Sequence, residues 1–129
     1  MYKTASMLFL VALSASASAG TLLSGEQIKN LVSGNTVALH SLAKNINFQI
    51  YYAADGSSIS HNENSGKKSR GTWRITDSGE WCNYWPTEKN PEERCGQVID
   101  NGDGTYNRLE NGNLRSVWKK IHTGNTIGE

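Results

Sequence analysis

Two cysteines lie close together in a segment that is rich in tryptophan. Cys82 directly follows Trp81, and Cys95 closes a short loop. Their spacing matches neither the C-x-x-C pair of redox proteins nor the four-ligand pattern of structural zinc sites. In an oxidising compartment two such cysteines form a structural disulfide, which over a loop of this length is worth roughly 3 kcal/mol. We therefore predict a Cys82–Cys95 disulfide, with free thiols or intermolecular bonds as the alternatives.

Aromatic side chains are the second group that can bind a ligand. Trp81 and Trp85 face the same side of a predicted strand, and Tyr51 and Tyr52 face opposite sides of another. One interpretation is that the tryptophans pack around the disulfide and fill a small core. The other is that Tyr51, Trp81 and Trp85 line a groove or cavity that stacks on a sugar ring or holds an apolar ligand. These three are the candidate ligand-binding residues.

Patterns for catalysis and metal binding give no candidate. The sequence has no Gly-x-Ser-x-Gly elbow, and its three histidines are far apart: His40, His61 and His122. Residues 100–104 resemble a calcium loop but lack the alternate oxygen ligands and the distal Glu of an EF-hand, so we predict a tight turn there. We expect no catalytic residue, metal site or cofactor, although a small hydrolase with a convergent site stays open.

The elements that must position these residues are one helix and a series of short strands. Ser24 and Gln27 form a predicted capping box, and Gly34 is placed to end the helix. Seven extended segments follow, separated by Gly-, Asn- and Asp-rich turns: 36–42, 48–53, 72–76, 80–85, 95–100, 105–109 and 114–121. Residues 61–70 are polar and are predicted to be a solvated loop. We predict a mainly β domain, an antiparallel meander of roughly seven strands that forms a small open barrel or a strongly bent sheet.

The N-terminus predicts export. Lys3, the apolar run 7–13 and the small residues 17–19 have the order of a secretory signal, and the run is too short to span a bilayer. We predict a signal peptide over residues 1–19 and a single domain over residues 20–129, in the periplasm or secreted. Without Lys3 the 13 basic and 12 acidic residues become equal in number, which argues against a nucleic-acid partner.

Several motifs together resemble a known group of proteins. They are Leu23 to Ile28, Gly34 to Thr36, Tyr51-Tyr52, Asp55-Gly56, Gly71-x-Trp73, Trp81-Cys82-x-x-Trp85 and Cys95. In this pattern the chain resembles short exported proteobacterial proteins that carry a domain of unknown function, which implies a periplasmic or secreted protein and no particular activity. Gly71-Thr72-Trp73 is also similar to the Gly-x-Trp of lipocalins. That likeness implies a barrel architecture at most, because the mature domain is short for an eight-stranded ligand barrel.

Two functions follow as expectations. The first is a non-catalytic binding module for a small molecule, a glycan or an envelope component. The alternative is an inhibitor or protein-interaction domain that acts through the disulfide-tethered loop 86–94, with Glu92, Glu93 and Arg94 as the contacting residues. In either case we expect a monomer with no membrane span.

Overall fold

A computed structural model of the chain describes residues 20–128. The predicted signal peptide, residues 1–19, lies outside the described residues. Within residues 20–128 one helix and nine strands follow one another: β1 (Thr21–Leu22), α1 (Gly25–Val32), β2 (Asn35–Ser41), β3 (Ile46–Tyr52), β4 (Ser57–Asn62), β5 (Lys68–Ile75), β6 (Trp81–Tyr84), β7 (Arg94–Asp100), β8 (Tyr106–Glu110) and β9 (Asn113–Thr123).

Strands β2 to β9 form a closed antiparallel barrel. Each strand pairs with the next along the chain, and β9 pairs with β2 to complete the ring. The two-residue β1 adds to β7 outside the ring. The prediction of a small antiparallel barrel with one helix is confirmed. The ring is closed, however, and it has eight strands, where the sequence predicted an open barrel or bent sheet of roughly seven.

Strand β4 is the barrel strand that the sequence did not predict; the two-residue β1, outside the ring, was also not predicted. Strand β4 contains one large apolar residue, Ile59, between serines, so its sequence looks like a loop. Two of those serines, Ser58 and Ser60, are buried. The predicted loop over residues 61–70 is therefore too long at both ends. Strand β4 extends to Asn62 and β5 begins at Lys68, so the turn is residues 63–67.

Helix α1 forms as its sequence predicts. The Ser24 hydroxyl accepts a hydrogen bond from the Gln27 N–H at 3.1 Å, and the Gln27 side-chain oxygen accepts one from the Ser24 N–H at 2.8 Å. Gly34 follows the helix with φ of 79°, and its N–H donates to the Tyr52 carbonyl. Ile28 and Val32 are fully buried on the face that meets the barrel. A helix of eight residues is stable here because it covers one end of the barrel.

The barrel therefore has two different ends. At one, which we call the helix end, α1 and the residues beneath it form the apolar core: Ile28, Val32, Val37, Tyr52, Trp73, Trp81, Val98 and Trp118. At the other, which we call the open end, four loops follow or precede the strands: 42–45, 63–67, 85–93 and 111–112. No helix within residues 20–128 is long and apolar enough to cross a membrane.

Candidate ligand-binding cavity

A cavity of about 300 Å³ occupies the half of the barrel interior that is nearer the open end. Alternate residues of the barrel strands point inward, so each of the strands β2 to β9 contributes one to three side chains to its wall. Its volume lies at the lower end of the range for ligand pockets, roughly 300–1,000 Å³. The cavity is therefore large enough for a compact ligand.

Three aromatic rings form the inner end of this cavity. The Tyr52 and Trp81 ring centroids lie 4.9 Å apart, those of Trp81 and Trp118 lie 5.0 Å apart, and both pairs meet edge to face. Burial raises the pKa of the Tyr52 phenol far above its ordinary value, so it is neutral, although the nearby Arg108 charge partly opposes that rise. The same rings belong to the core of the helix end, so the cavity has a rigid inner surface.

Four buried polar atoms of the cavity wall have no hydrogen-bond partner within the described part of the chain. They are Nε1 of Trp81, Nε1 of Trp118, Nε of Arg108 and Oδ1 of Asn83. Trp118 is fully buried and Trp81 is 1% exposed. By contrast, Nε1 of Trp73 donates to the Ala53 carbonyl at 2.9 Å. Leaving a buried polar group unpaired costs roughly 1–3 kcal/mol, so these atoms mark a surface that is not optimised for stability.

A cluster of three arginines and one glutamate lies beside the aromatic rings. Glu110 forms an ion pair with Arg108, its Oε1 lies 3.3 Å from Nε of Arg115, and Nη1 of Arg94 lies 3.9 Å away. The Arg108 guanidinium lies 5.2 Å from the centre of the Trp81 ring and donates to the Arg94 carbonyl. Arg108 and Glu110 are both 9% exposed. The wall thus combines a buried ion pair with further positive charge.

An ion pair crosses the entrance at the open end. Nζ of Lys44 lies 3.1 Å from Oε2 of Glu88. Lys44 belongs to the loop between β2 and β3 and Glu88 to the loop between β6 and β7, which the strand order places on opposite sides of the ring. Thr87 and Trp85 of the second loop also line the cavity. The loop 85–93 therefore partly covers the entrance.

Gly71 explains how Trp85 reaches this position. A Cβ atom at residue 71 would lie 2.5 Å from Cε3 of Trp85 and 2.5 Å from the Tyr84 carbonyl oxygen. Only glycine leaves room for the indole against β5 at this point. The Gly-x-Trp motif thus has two separate roles, because Gly71 accommodates Trp85 at the cavity and Trp73 packs under the helix.

The predicted disulfide is present and anchors the same loop. Cys82 and Cys95 face each other on β6 and β7, and they alternate with the inward-facing Trp81 and Asn83, so the bond lies on the outside of the barrel wall. Glu93 lies next to the two sulfur atoms and accepts two hydrogen bonds of 2.7 Å from Arg74. These two restraints fix the end of loop 86–94 against the barrel.

The predicted site residues separate into different places. Trp81 and Trp85 line the cavity, whereas Tyr51 lies on the outer face of β3 and its neighbour Tyr52 lines the cavity instead. Of the three residues assigned to a partner-binding loop, Arg94 lines the cavity and Glu93 is paired with Arg74, while the Glu92 side chain is 67% exposed. Arg108, Glu110 and Trp118, which also line the cavity, were not predicted from the sequence to lie in a site. The sequence does show that Arg108 and Glu110 share one face of β8, which could have marked them as cavity residues. Charged residues that alternate along a strand are ordinarily assigned to the solvent-facing side.

Groups with catalytic or metal-binding chemistry do not assemble at the cavity. Its lining, within residues 20–128, includes no histidine. Ser41 and Lys44 have Ser-x-x-Lys spacing and both line the cavity, but the Ser41 hydroxyl accepts the Lys44 backbone N–H and the Lys44 ammonium pairs with Glu88. Residues 100–104 form the predicted turn, in which Asp100 accepts the Gly102 N–H and Asp103 accepts the Thr105 N–H. The Cys82, Glu93 and Cys95 group has both its sulfurs in the disulfide.

Fold and cavity together define a class of protein: a small up-and-down β-barrel, capped at one end by a helix and enclosing a polar–aromatic cavity at the other. Comparison of the chain with protein-family models, with curated proteins and with solved structures finds no match. Its function is therefore argued from the cavity itself.

Proposed function

We propose that this protein is an exported, non-catalytic binding protein that holds a small molecule inside its barrel. The observation that carries the proposal is the set of buried polar atoms at Trp81, Asn83, Arg108 and Trp118 that have no partner within residues 20–128, in four side chains that line one cavity. Buried polar groups are paired in nearly all native structures, so a cluster of unpaired ones indicates a place where a ligand supplies the partners. The predicted signal over residues 1–19 and the disulfide support export.

Native mass spectrometry of the protein purified from a bacterial periplasm tests the proposal. We expect extra mass on the folded chain that disappears when the sample is denatured. Ser60→Phe should remove this mass, because Ser60 faces the cavity and the ring would fill it. Thr72→Phe is the matched control, since Thr72 is exposed on the outer face of β5. A bare wild-type chain, or the same bound mass on Ser60→Phe, would contradict the proposal.

A second candidate is an inhibitor or interaction domain that acts through loop 86–94. The exposure of Glu92 beside the disulfide anchor favours it, because a tethered loop loses little entropy on binding. Glu92→Lys should then abolish capture of an envelope protein that the wild type retains, with the melting temperature unchanged. Glu26→Lys, an exposed reversal on α1, is the control. Equal capture by Glu92→Lys and wild type would overturn this candidate.

A further inference from the structure

The unpaired polar atoms of the cavity are mostly donors. Nε1 of Trp81, Nε1 of Trp118 and Nε of Arg108 each carry a hydrogen to donate, and Oδ1 of Asn83 is the one acceptor among the four. The three donors belong to a continuous stack, since Arg108 lies over Trp81 and Trp81 meets Trp118 edge to face. These three atoms have almost no accessible surface, so a ligand in the cavity meets first the terminal guanidinium groups of the arginines beside them.

The charge of the lining indicates which acceptor fits. Five basic residues border the cavity, Lys44, Lys67, Arg94, Arg108 and Arg115, against the two acidic residues Glu88 and Glu110. Glu88 pairs with Lys44 at the entrance, and Glu110 is shared among three arginines. Glu92 lies 3.8 Å from Nη1 of Arg94, so the three arginines face two carboxylates and the cluster keeps a net positive charge, with Arg94 and Arg115 half-exposed. Water can accept hydrogen bonds from the donors, but it brings no negative charge.

The remaining wall is apolar. Leu39, Phe48 and Ile50 lie on β2 and β3, and Arg94 and Arg108 lie on β7 and β8. Two cations are nearer to the apolar residues, because Arg115 lies on the neighbouring β9 and Nζ of Lys44 lies 5.8 Å from the centre of the Phe48 ring. A bound molecule thus meets both hydrocarbon and cationic groups in one cavity. The volume of about 300 Å³ restricts it to a compact size.

We propose that the ligand is a small organic anion, with a carboxylate-type head group at the arginine cluster of Arg94, Arg108 and Arg115 and a short apolar body against Leu39, Phe48 and Ile50. This inference rests on the proposed function, because it names the chemistry of the ligand of that cavity. An acidic oxygen accepts hydrogen bonds from the guanidinium groups and also balances their charge, whereas a neutral ligand does only the first.

Three probes with the same eight-carbon chain test the head group. Octanoate, 1-octanol and octylammonium are titrated into the delipidated wild-type protein at pH 7 by isothermal titration calorimetry. We expect octanoate to bind at least tenfold more tightly than octanol, and octylammonium to bind more weakly than octanol. Equal affinities, or a preference for the ammonium, would overturn the anion inference while leaving the binding function intact. Failure of all three to bind would count against the binding function as well.

Two variants locate the head group. Arg108→Met should lower octanoate affinity at least tenfold and leave octanol affinity unchanged, and Arg74→Met is the matched control because Arg74 lies on the outer face. Glu110→Gln should tighten octanoate binding, because it removes the negative charge from the arginine cluster. This second variant keeps the proposal testable if Arg108→Met does not fold. An unchanged octanoate affinity in Glu110→Gln would place the anion elsewhere and overturn the assignment.

Discussion

The helix end and the open end of the barrel are built by the same eight strands but are filled in different ways. At the helix end the inward residues are mostly apolar or aromatic, and the Trp73 indole N–H has a protein partner, while the buried Ser58 hydroxyl has none within residues 20–128. At the open end they include a buried ion pair, two further arginines and unpaired donors. Buried charges and unpaired donors oppose folding. The comparison suggests a division of roles, in which the helix end supplies the stability that lets the open end keep a binding surface.

The largest expected effect separates the two ends by stability. Ile28→Ala at the helix end should lower the free energy of unfolding by roughly 2–5 kcal/mol, because it leaves a cavity beneath a fully buried side chain. Leu114→Ala at the open end should lower it by less than about 0.5 kcal/mol, because Leu114 is 41% exposed. Urea denaturation followed by far-UV circular dichroism measures both. Equal losses would show that stability is not concentrated at the helix end.

The disulfide is the largest stabilising feature that we expect at the open end. Replacing both Cys82 and Cys95 with serine should lower the free energy of unfolding by roughly 3 kcal/mol, because the unfolded chain regains the entropy of an open loop. Thermal denaturation with and without reductant measures the loss. The serine variant is the control for the reductant, because reductant should lower the melting temperature of the wild type and leave that of the variant unchanged. A wild-type melting curve that reductant does not shift would show that the bond adds no stability.

Local features of the fold could be predicted from the sequence, and features that depend on ring closure could not. The capping box, most strands, the disulfide and the inward direction of Trp81 follow from short-range spacing. Closure depends on pairing β2 with β9, such as Val37 with Ile121, which are far apart in the chain. Nothing in the local pattern of either strand specifies that partner. The same limit explains the missed β4, whose serines become identifiable as strand residues only when neighbours on both sides pair with them.

Ring closure also decides which residues form the site. Alternation predicts that Arg108 and Glu110 share one face of β8, but it does not say that this face is the inside of a barrel. For an open sheet the charged face would lie toward solvent. Once the ring closes, the two side chains are enclosed with Arg94 and Trp81, and an ordinary surface pattern becomes a buried ion pair. For Tyr51 and Tyr52 the prediction that they face opposite sides of the strand is correct. The sequence did not show, however, that Tyr52 is the one that faces the barrel interior.

A kinetic effect should distinguish the entrance from the rest of the open end. Glu88→Gln removes the charge that pairs with Lys44 across the entrance, so octanoate should both associate and dissociate several-fold faster. Stability should change by less than about 0.5 kcal/mol, because an exposed ion pair contributes little. Stopped-flow tryptophan fluorescence gives the rates, and Glu26→Gln on the exposed face of α1 is the control. Rates that match the wild type would show that this ion pair does not limit access.

The smallest expected effect is a pH dependence on the outer surface of the open end. Hydrogen bonds from Arg74 hold the pKa of the Glu93 carboxyl below its ordinary value of 4.5. A carboxyl whose pKa falls on folding stabilises the folded state above its ordinary pKa, and that contribution is lost as the pH drops through the lower value. The stability difference between wild type and Glu93→Gln should therefore be constant above about pH 6 and shrink below pH 4.5.

In Arg74→Met the pKa of Glu93, followed by NMR, should return to its ordinary value. High salt should weaken the pKa shift of the wild type, because the Arg74–Glu93 pair is exposed. If the pKa of Glu93 is the same with and without Arg74, then the loop itself lowers that pKa. The disulfide would then be the attachment that holds the loop to the barrel wall.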